Sequence, residues 1–200
     1  MPEAISPLRG HNEARVVRRA SDTPGVTLTE RGLTSLVQVA AWPKTAEQVI
    51  DVVASLTGCA PPQGLSGSSG DAEGAILVLA PGRFLVESRD PRLTTQLEEQ
   101  IPPALGAVTD LSHARIAIRI SGPEAARVLN KGLALDLDPA AFPPLKVAQS
   151  AIHEVGVVVR RVSAETFDLY VYRGFALSFW DWLTEAAAET GYRVEPPGSA

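Results

Sequence analysis

Histidine and cysteine side chains are the first residues of this sequence that could carry chemistry. Of the three histidines, His11, His113 and His153, none has a second histidine or cysteine at metal-ligand spacing. His113 precedes a predicted strand and could act as a general base, but a hydrogen-bonded structural histidine is more typical of that position. Cys59 follows a predicted helix C-terminus, where the helix dipole disfavours a thiolate. We therefore interpret His113 as a structural residue and Cys59 as an incidental cysteine.

Two further patterns could indicate a ligand site. Residues 64–70 are rich in glycine and serine, but they lack the Lys-Ser/Thr end of a phosphate-binding loop and the G-x-G-x-x-G spacing. Their composition favours a flexible surface excursion covering 59–74. Asp136 and Asp138 could share a metal or a proton on one strand face. Because Pro139 follows Asp138, capping of a short helical turn is the stronger interpretation.

Composition and charge exclude several classes of protein. The 200 residues carry a net charge of −5, with 45% hydrophobic and 20% charged residues. This balance is typical of a globular domain and argues against nucleic-acid or membrane-surface binding, since both require a basic face. One cysteine excludes an internal disulfide, and no run approaches the ~20 apolar residues of a membrane span. We expect no secretory signal and a cytoplasmic location.

The elements that must position these residues follow one order twice: strand, capped helix, strand, strand, helix. In the first half the patterns predict strands 33–42, 76–79 and 84–88, with helices beginning at Thr45 and Asp90. In the second half they predict strands 115–120, 155–162 and 166–172, with helices after Ser121 and from Phe175 to Glu189. The predicted fold is α+β, with two βαββα halves of split-βαβ, ferredoxin-like character and mainly antiparallel sheets.

The predicted domain bounds follow from where the periodic patterns begin and end. Residues 1–25 have no clean period and predict a loose N-terminal tail, ordered at most on another chain. Residues 26–195 form a single α+β domain of two similar halves, about 33–110 and 111–195. Residues 196–200 are a C-terminal tail.

The last predicted helix has an apolar stripe of about 160°, with a tryptophan at each edge. A large core helix is the simpler interpretation. The alternative is that one edge, together with a neighbouring tyrosine, contacts a partner subunit, because Trp and Tyr are favoured anchors of such contacts. The candidate interface residues are Tyr170, Tyr172, Phe175, Trp180 and Trp182.

The order of several motifs resembles one known family. The motifs are LVLAPGRFLV at 77–86, DLSHAR at 110–115, SGPEAARVLNKG at 121–132, LDLD with Phe142-Pro143 at 135–143, and RGFALSFWDWL at 173–183. Over roughly residues 33–194 the chain resembles the gamma subunit of heterotetrameric sarcosine oxidase. It is more distantly similar to the folate-binding fold of aminomethyltransferases, which also has Asp-Leu-Ser followed by an S-G-P-like turn.

The resemblance implies a non-catalytic structural subunit of a bacterial complex. That complex oxidatively demethylates sarcosine and passes the one-carbon unit to tetrahydrofolate. Its FAD, FMN and NAD belong to larger partner subunits, so the resemblance implies no catalytic, cofactor-binding or metal residue in this chain. A sizeable exposed apolar patch is then expected along the last helix or the face of Tyr170 and Tyr172.

Two alternatives remain open from the sequence. One is a stand-alone folate-binding or aminomethyltransferase-like protein, in which Asp110 or Asp136 would hold the pterin ring. The other is a generic protein-interaction module with no link to folate or flavin.

Overall fold

The computed structural model divides the chain into two compact units. Unit 1 combines Met1–Gly32, His113–Pro144 and Gln149–Ala200, and unit 2 combines Leu33–Ser112 and Leu145–Ala148. The structure describes residues 5–17, 23–71 and 73–197.

Strands and helices of the described residues have the following bounds in chain order. The first part comprises β1 Arg15–Val17, β2 Val26–Arg31, β3 Ser35–Ala41, α1 Ala46–Thr57, β4 Ser68–Gly70, β5 Gly74–Ala80, β6 Arg83–Ser88, α2 Leu93–Gln100 and β7 Gly106–Asp110. The second part comprises β8 Arg115–Ser121, α3 Ala125–Leu129, β9 Val147–Ile152, β10 Val155–Ser163, β11 Thr166–Tyr172, a 3-10 helix Arg173–Phe175, α4 Ala176–Ala188 and β12 Tyr192–Glu195.

Unit 2 is a five-stranded antiparallel sheet in the order β4-β5-β6-β3-β7. Its chain path β3-α1-β5-β6-α2-β7 is the split-βαβ arrangement of ferredoxin-like domains, with β4 added at the edge. Alternate apolar residues of β3, β5 and β6 pack with those of the two helices into one buried cluster. The predicted α+β fold with antiparallel sheets is confirmed.

Unit 1 repeats this path as β8-α3-β10-β11-α4-β12. Its seven-stranded sheet has the order β1-β12-β2-β8-β11-β10-β9. Strand β2 lies between β12 and β8, parallel to the first and antiparallel to the second. The strand that closes each half, β7 or β12, was missed by the sequence interpretation, so each half is βαββαβ rather than βαββα. Both strands are short, with few apolar residues to mark them.

The N-terminal segment is ordered on the chain itself over residues 5–17, in contrast to the predicted loose tail. Strand β1 pairs antiparallel with β12, and the side chain of Leu8 is fully buried. The Glu30 carboxylate is buried and accepts hydrogen bonds from Ser6 Oγ (2.7 and 2.8 Å) and from Asn12. Residues 1–4 and 18–22 lie outside the described residues. The predicted single domain with two halves stays a prediction.

The segment predicted as a flexible loop contains the edge strand β4. Ser68 N donates to the Leu145 carbonyl and Val147 N donates to the Ser66 carbonyl, both at 2.7 Å. At Gly67 a Cβ atom would lie 2.0 Å from the Gln63 carbonyl oxygen, so the turn into β4 requires glycine. The flexible-loop prediction is therefore wrong for residues 66–70.

Two predicted helix starts differ from the structure in their hydrogen bonds. Thr45 precedes α1, but its hydroxyl lies 2.5 Å from the Leu105 carbonyl and caps no helical N–H. Helix α2 begins at Leu93 rather than directly after Asp90. The Asp90 carboxylate instead accepts hydrogen bonds from Arg92, whose side chain and main-chain N–H lower the pKa of Asp90. At Thr45 a tertiary contact replaces the local cap that the sequence suggested, whereas Asp90 keeps a local bond, to Arg92.

A fully buried carboxylate connects three strands of unit 1. Arg119 on β8 donates from Nε and Nη2 to the two oxygens of Asp168 on β11, at 2.7 and 2.9 Å. Arg31 at the end of β2 donates from Nη1 to the same carboxylate at 3.1 Å. The side chain of Asp168 has no solvent exposure. Such a bidentate pair adds geometric specificity as well as energy.

Replacing Asp168 with Asn should destabilise the chain strongly. The substitution removes the negative charge that Asp168 places beside two largely buried guanidinium groups, so the free energy of unfolding should fall by about 3–5 kcal/mol. Urea unfolding followed by circular dichroism would measure it. Asp181→Asn is the control: Asp181 is exposed on α4, and its change should stay within about 0.5 kcal/mol. Equal losses for the two variants would contradict a structural role for the cluster.

Candidate partner interface

The histidines that could have carried chemistry all lie exposed in turns. This holds for His11, for His113 between β7 and β8, and for His153 between β9 and β10. Within residues 5–17, 23–71 and 73–197, no group of three or more histidine, cysteine, aspartate and glutamate residues is arranged to hold a metal ion.

The paired aspartates of the irregular connection cap turns, as the stronger interpretation predicted. Asp136 Oδ1 accepts from Asp138 N at 2.9 Å, and Asp138 Oδ1 accepts from Ala140 N at 2.8 Å. Asp138 also offers its carbonyl to Ala141 N and Phe142 N, which completes a short helical turn. Both carboxylates are thereby occupied by the main chain.

Cys59 lines a cavity of about 580 Å³ in unit 2, between the end of α1, strand β4 and the start of α2. Its thiol lies 3.4 Å from the Gly74 carbonyl, to which it donates. Two acidic residues of the cavity, Asp71 and Glu73, are exposed, and Glu73 pairs with the equally exposed Arg89. These are solvated surface groups, and the Cys59 side chain is half-buried beside Gly74.

The cavity does not fit a folate ring. The residues that line it include no aromatic side chain to stack on a pterin, and neither Asp110 nor Asp136 is among them. Asp110 is exposed and accepts hydrogen bonds from N and Oγ of Ser112, at 2.8 and 2.6 Å. The two carboxylates proposed for a pterin are therefore engaged in their own turns.

The five predicted interface residues divide by burial. Tyr170 and Trp180 are buried within the chain, so their assignment to a partner interface is wrong. Tyr170 lies on a central strand in which successive residues on both faces are buried, whereas the sequence pattern suggested one open face. Tyr172 and Phe175 are 46% and 51% exposed, and their assignment stays a prediction.

Exposed apolar side chains gather where β11 passes into α4. Tyr172 ends β11, Phe175 ends the 3-10 helix, and Leu177 lies in the first turn of α4. The Arg173 guanidinium donates a hydrogen bond to the Ile5 carbonyl, which brings exposed Ile5 to the same region. We call Ile5, Tyr172, Phe175 and Leu177 the β11–α4 patch. It lies where the sequence predicted an exposed apolar surface, at the start of the last helix.

Trp182, the fifth predicted interface residue, is half-buried and packs within unit 1. Its ring lies 5.8 Å from the Phe179 ring and 6.3 Å from the His153 ring, the latter edge-on. A Cβ atom on Gly132 would lie 2.7 Å from the Trp182 ring. Trp182 thus covers the end of α3 and the β9–β10 turn, and this packing occupies much of its surface.

Arg115, at the start of β8, is a buried cation beside the patch. Its guanidinium stacks on the Tyr172 ring with 3.9 Å from Cζ to the ring centroid, a cation–π contact. Nη1 donates to the Tyr170 carbonyl at 3.3 Å, and Nε is buried without a hydrogen-bond partner. Burial lowers the pKa of Arg115, while the neighbouring Tyr172 acts in the opposite direction. Sequence analysis missed this residue.

Comparison with known protein families identifies the architecture. The family described as the GCVT N-terminal domain matches residues 70–196. The chain belongs to this family. No helix in the described part of this GCVT-domain chain is long and apolar enough to cross a membrane.

Among characterised proteins, this GCVT-domain chain is similar to subunits named sarcosine oxidase subunit gamma. The protein of Corynebacterium sp. (strain U-96) is 28% identical over 166 residues, which cover 82% of this chain and 80% of that protein. The Arthrobacter sp. protein is 29% identical over 178 residues, which cover 88% and 87%. The resemblance based on motif order is confirmed.

Two solved structures share the fold. Heterotetrameric sarcosine oxidase from Corynebacterium sp. U-96, in complex with pyrrole 2-carboxylate, contains a chain that matches with a TM-score of 0.76 and 27% identity, covering 85% of this chain and 87% of that one. Aminomethyltransferase T of the glycine cleavage system from Bartonella henselae matches with a TM-score of 0.60 at 15% identity, covering 86% of this chain and 48% of that one. The second likeness shows the fold alone.

Because Trp182 packs closely against Gly132, substituting Gly132 with Ala should destabilise the chain. The added methyl group would meet a rigid indole ring at 2.7 Å, so the free energy of unfolding should fall by about 1–3 kcal/mol. Gly156→Ala is the matched control, because a Cβ there meets nothing within 4 Å. Chemical denaturation with tryptophan fluorescence would measure both. No difference between the two variants would mean that the ring moves aside at little cost.

Proposed function

We propose that this chain is the gamma-type, non-catalytic structural subunit of a heterotetrameric sarcosine oxidase. The observation that carries the proposal is the likeness to subunits of that name over 82–88% of this chain, joined by the match to a chain of the assembled enzyme. Because the match covers 80–87% of the relatives as well, the likeness is to the whole subunit rather than to a shared fragment.

In this proposal the chemistry belongs to the larger subunits. They hold FAD, FMN and NAD, demethylate sarcosine oxidatively and pass the one-carbon unit to tetrahydrofolate, in the cytoplasm. This chain contributes surface: Tyr172 and Phe175 are aromatic side chains held at the end of a central strand and in the turn after it. Aromatic anchors of this kind are enriched in the contacts between subunits.

A stand-alone folate-binding or aminomethyltransferase-like protein is the second candidate. The shared fold with aminomethyltransferase T favours it, but this chain covers only 48% of that enzyme. The first-choice carboxylates, Asp110 and Asp136, bond to their own turns. A generic interaction module, the third candidate, accounts for the exposed patch but not for the likeness to oxidase subunits.

The deciding experiment is to isolate the tagged chain from its native cell and record the absorbance spectrum. We expect larger partner subunits and a yellow, flavin-containing eluate. Addition of sarcosine should bleach the flavin absorbance, because substrate oxidation reduces the flavin. Glycine, which lacks the N-methyl group, is the control and should leave the spectrum unchanged.

A colourless, monomeric eluate would contradict the proposal. Calorimetric titration of that monomer with tetrahydrofolate would then test the second candidate, which requires measurable binding. Without any heat of binding, only the generic module would remain.

A further inference from the structure

Arg115 differs from Arg119 and Arg161 of unit 1 in how its charge is compensated. Arg119, on the same strand face four residues later, pairs with the Asp168 carboxylate. Arg161 donates to the carbonyls of Leu137, Phe142, Ser163 and Ala164. Arg115 has one carbonyl at 3.3 Å, and among the described residues no carboxylate pairs with it.

A buried cation of this kind is costly unless a counter-charge arrives. Arg115 is only 9% exposed, and its Nε has lost water without gaining an acceptor. The Tyr172 ring compensates in part, since a stacked guanidinium gains cation–π energy, but a ring quadrupole is weaker than a carboxylate. An anion with hydrogen-bond acceptors would compensate the rest of the Arg115 charge.

The position of Arg115 places the approach of such an anion on the side of Tyr172. Tyr172 stacks on the guanidinium and is itself 46% exposed, so a molecule that covers Tyr172 also reaches the surroundings of Arg115. Arg173, the residue after Tyr172, adds a second cation, and its guanidinium donates a hydrogen bond to the Ile5 carbonyl. Two arginines therefore lie among the exposed apolar side chains of the β11–α4 patch.

We propose that a larger subunit of the complex docks on the β11–α4 patch with an apolar segment that carries an Asp or Glu side chain, and that this carboxylate pairs with Arg115. The inference rests on the proposed function, because it takes the partner from the oxidase complex. A protein segment fits better than a small carboxylate, since Phe175 and Leu177 also require apolar cover. Removing one partner of a buried, hydrogen-bonded charge pair weakens an interface strongly, because the other charge is left buried and unpaired.

Two substitutions in the full chain test the pairing from opposite sides. Arg115→Met removes the cation and keeps an apolar side chain, so a partner carboxylate would be buried unpaired. Tyr172→Glu leaves Arg115 in place and supplies a carboxylate beside it from the same chain, which should exclude the partner's carboxylate. Trp42→Ala is the control, because Trp42 is 45% exposed in unit 2, away from the patch residues in sequence.

Affinity would be measured between each purified chain and the remaining oxidase subunits, prepared from a strain that lacks this chain. We expect Arg115→Met and Tyr172→Glu to bind about a hundredfold more weakly than the wild type or worse, and Trp42→Ala to stay within about twofold. Arg115→Lys should fall between, because lysine keeps the charge but not the planar fork. Tyr172→Glu should unfold at a temperature no lower than the wild type, since it gives Arg115 a counter-ion.

The outcomes separate this inference from the proposed function. If the wild type forms the yellow complex and both variants bind as tightly as it does, the inference is wrong and the proposed function stands. If the wild type binds no oxidase subunit, both are wrong. Should the isolated chain bind sarcosine or tetrahydrofolate in an Arg115-dependent way by calorimetry, a small carboxylate is the occupant and the docking proposal is overturned. If Arg115→Met does not fold, Tyr172→Glu decides, because it retains the arginine.

Discussion

The carboxylate of Asp168 sets the alignment on which unit 1 depends. Asp168 on β11 is directly opposite Arg119 on β8, and the next pairs along the same ladder end with Tyr172 opposite Arg115. If β8 slipped by one residue against β11, Arg119 would point to the other face of the sheet. Ile118 or Ile120 would then lie opposite Asp168. The register that pairs Asp168 with Arg119 therefore also places the Tyr172 ring over the Arg115 guanidinium.

How much of the fold the sequence predicts depends on how local the sequence pattern of each strand or helix is. Strand β8 alternates Ile116, Ile118 and Ile120 with polar or small residues, and helix α4 has a broad apolar stripe, so both were predicted within a few residues. Strand β1 and the closing strand β12 were missed because they are short and pair across almost the whole chain. Segments of three or four residues carry little periodicity of their own.

The limits of sequence periodicity also explain why only some of the predicted interface residues are exposed. Alternation in β11 correctly placed Tyr170 and Tyr172 on one strand face, but periodicity says nothing about what covers each position. In the structure Tyr170 is buried in the middle of the strand and Tyr172 is exposed at its end. Arg115 offered a weak signal, an arginine on that face of β8. Only the structure distinguishes it from Arg119, which has Asp168 opposite.

The topology also constrains the order of events during synthesis. Strand β12 is hydrogen-bonded between β1 and β2, although it follows every other described strand in the chain. The segments of unit 2 are complete once residue 148 has left the ribosome. Unit 2 can therefore fold while translation continues, whereas the sheet of unit 1 stays open until Tyr192–Glu195 emerges. Until then β1 lacks its neighbour, and β2 has one edge whose main-chain N–H and C=O groups are unpaired.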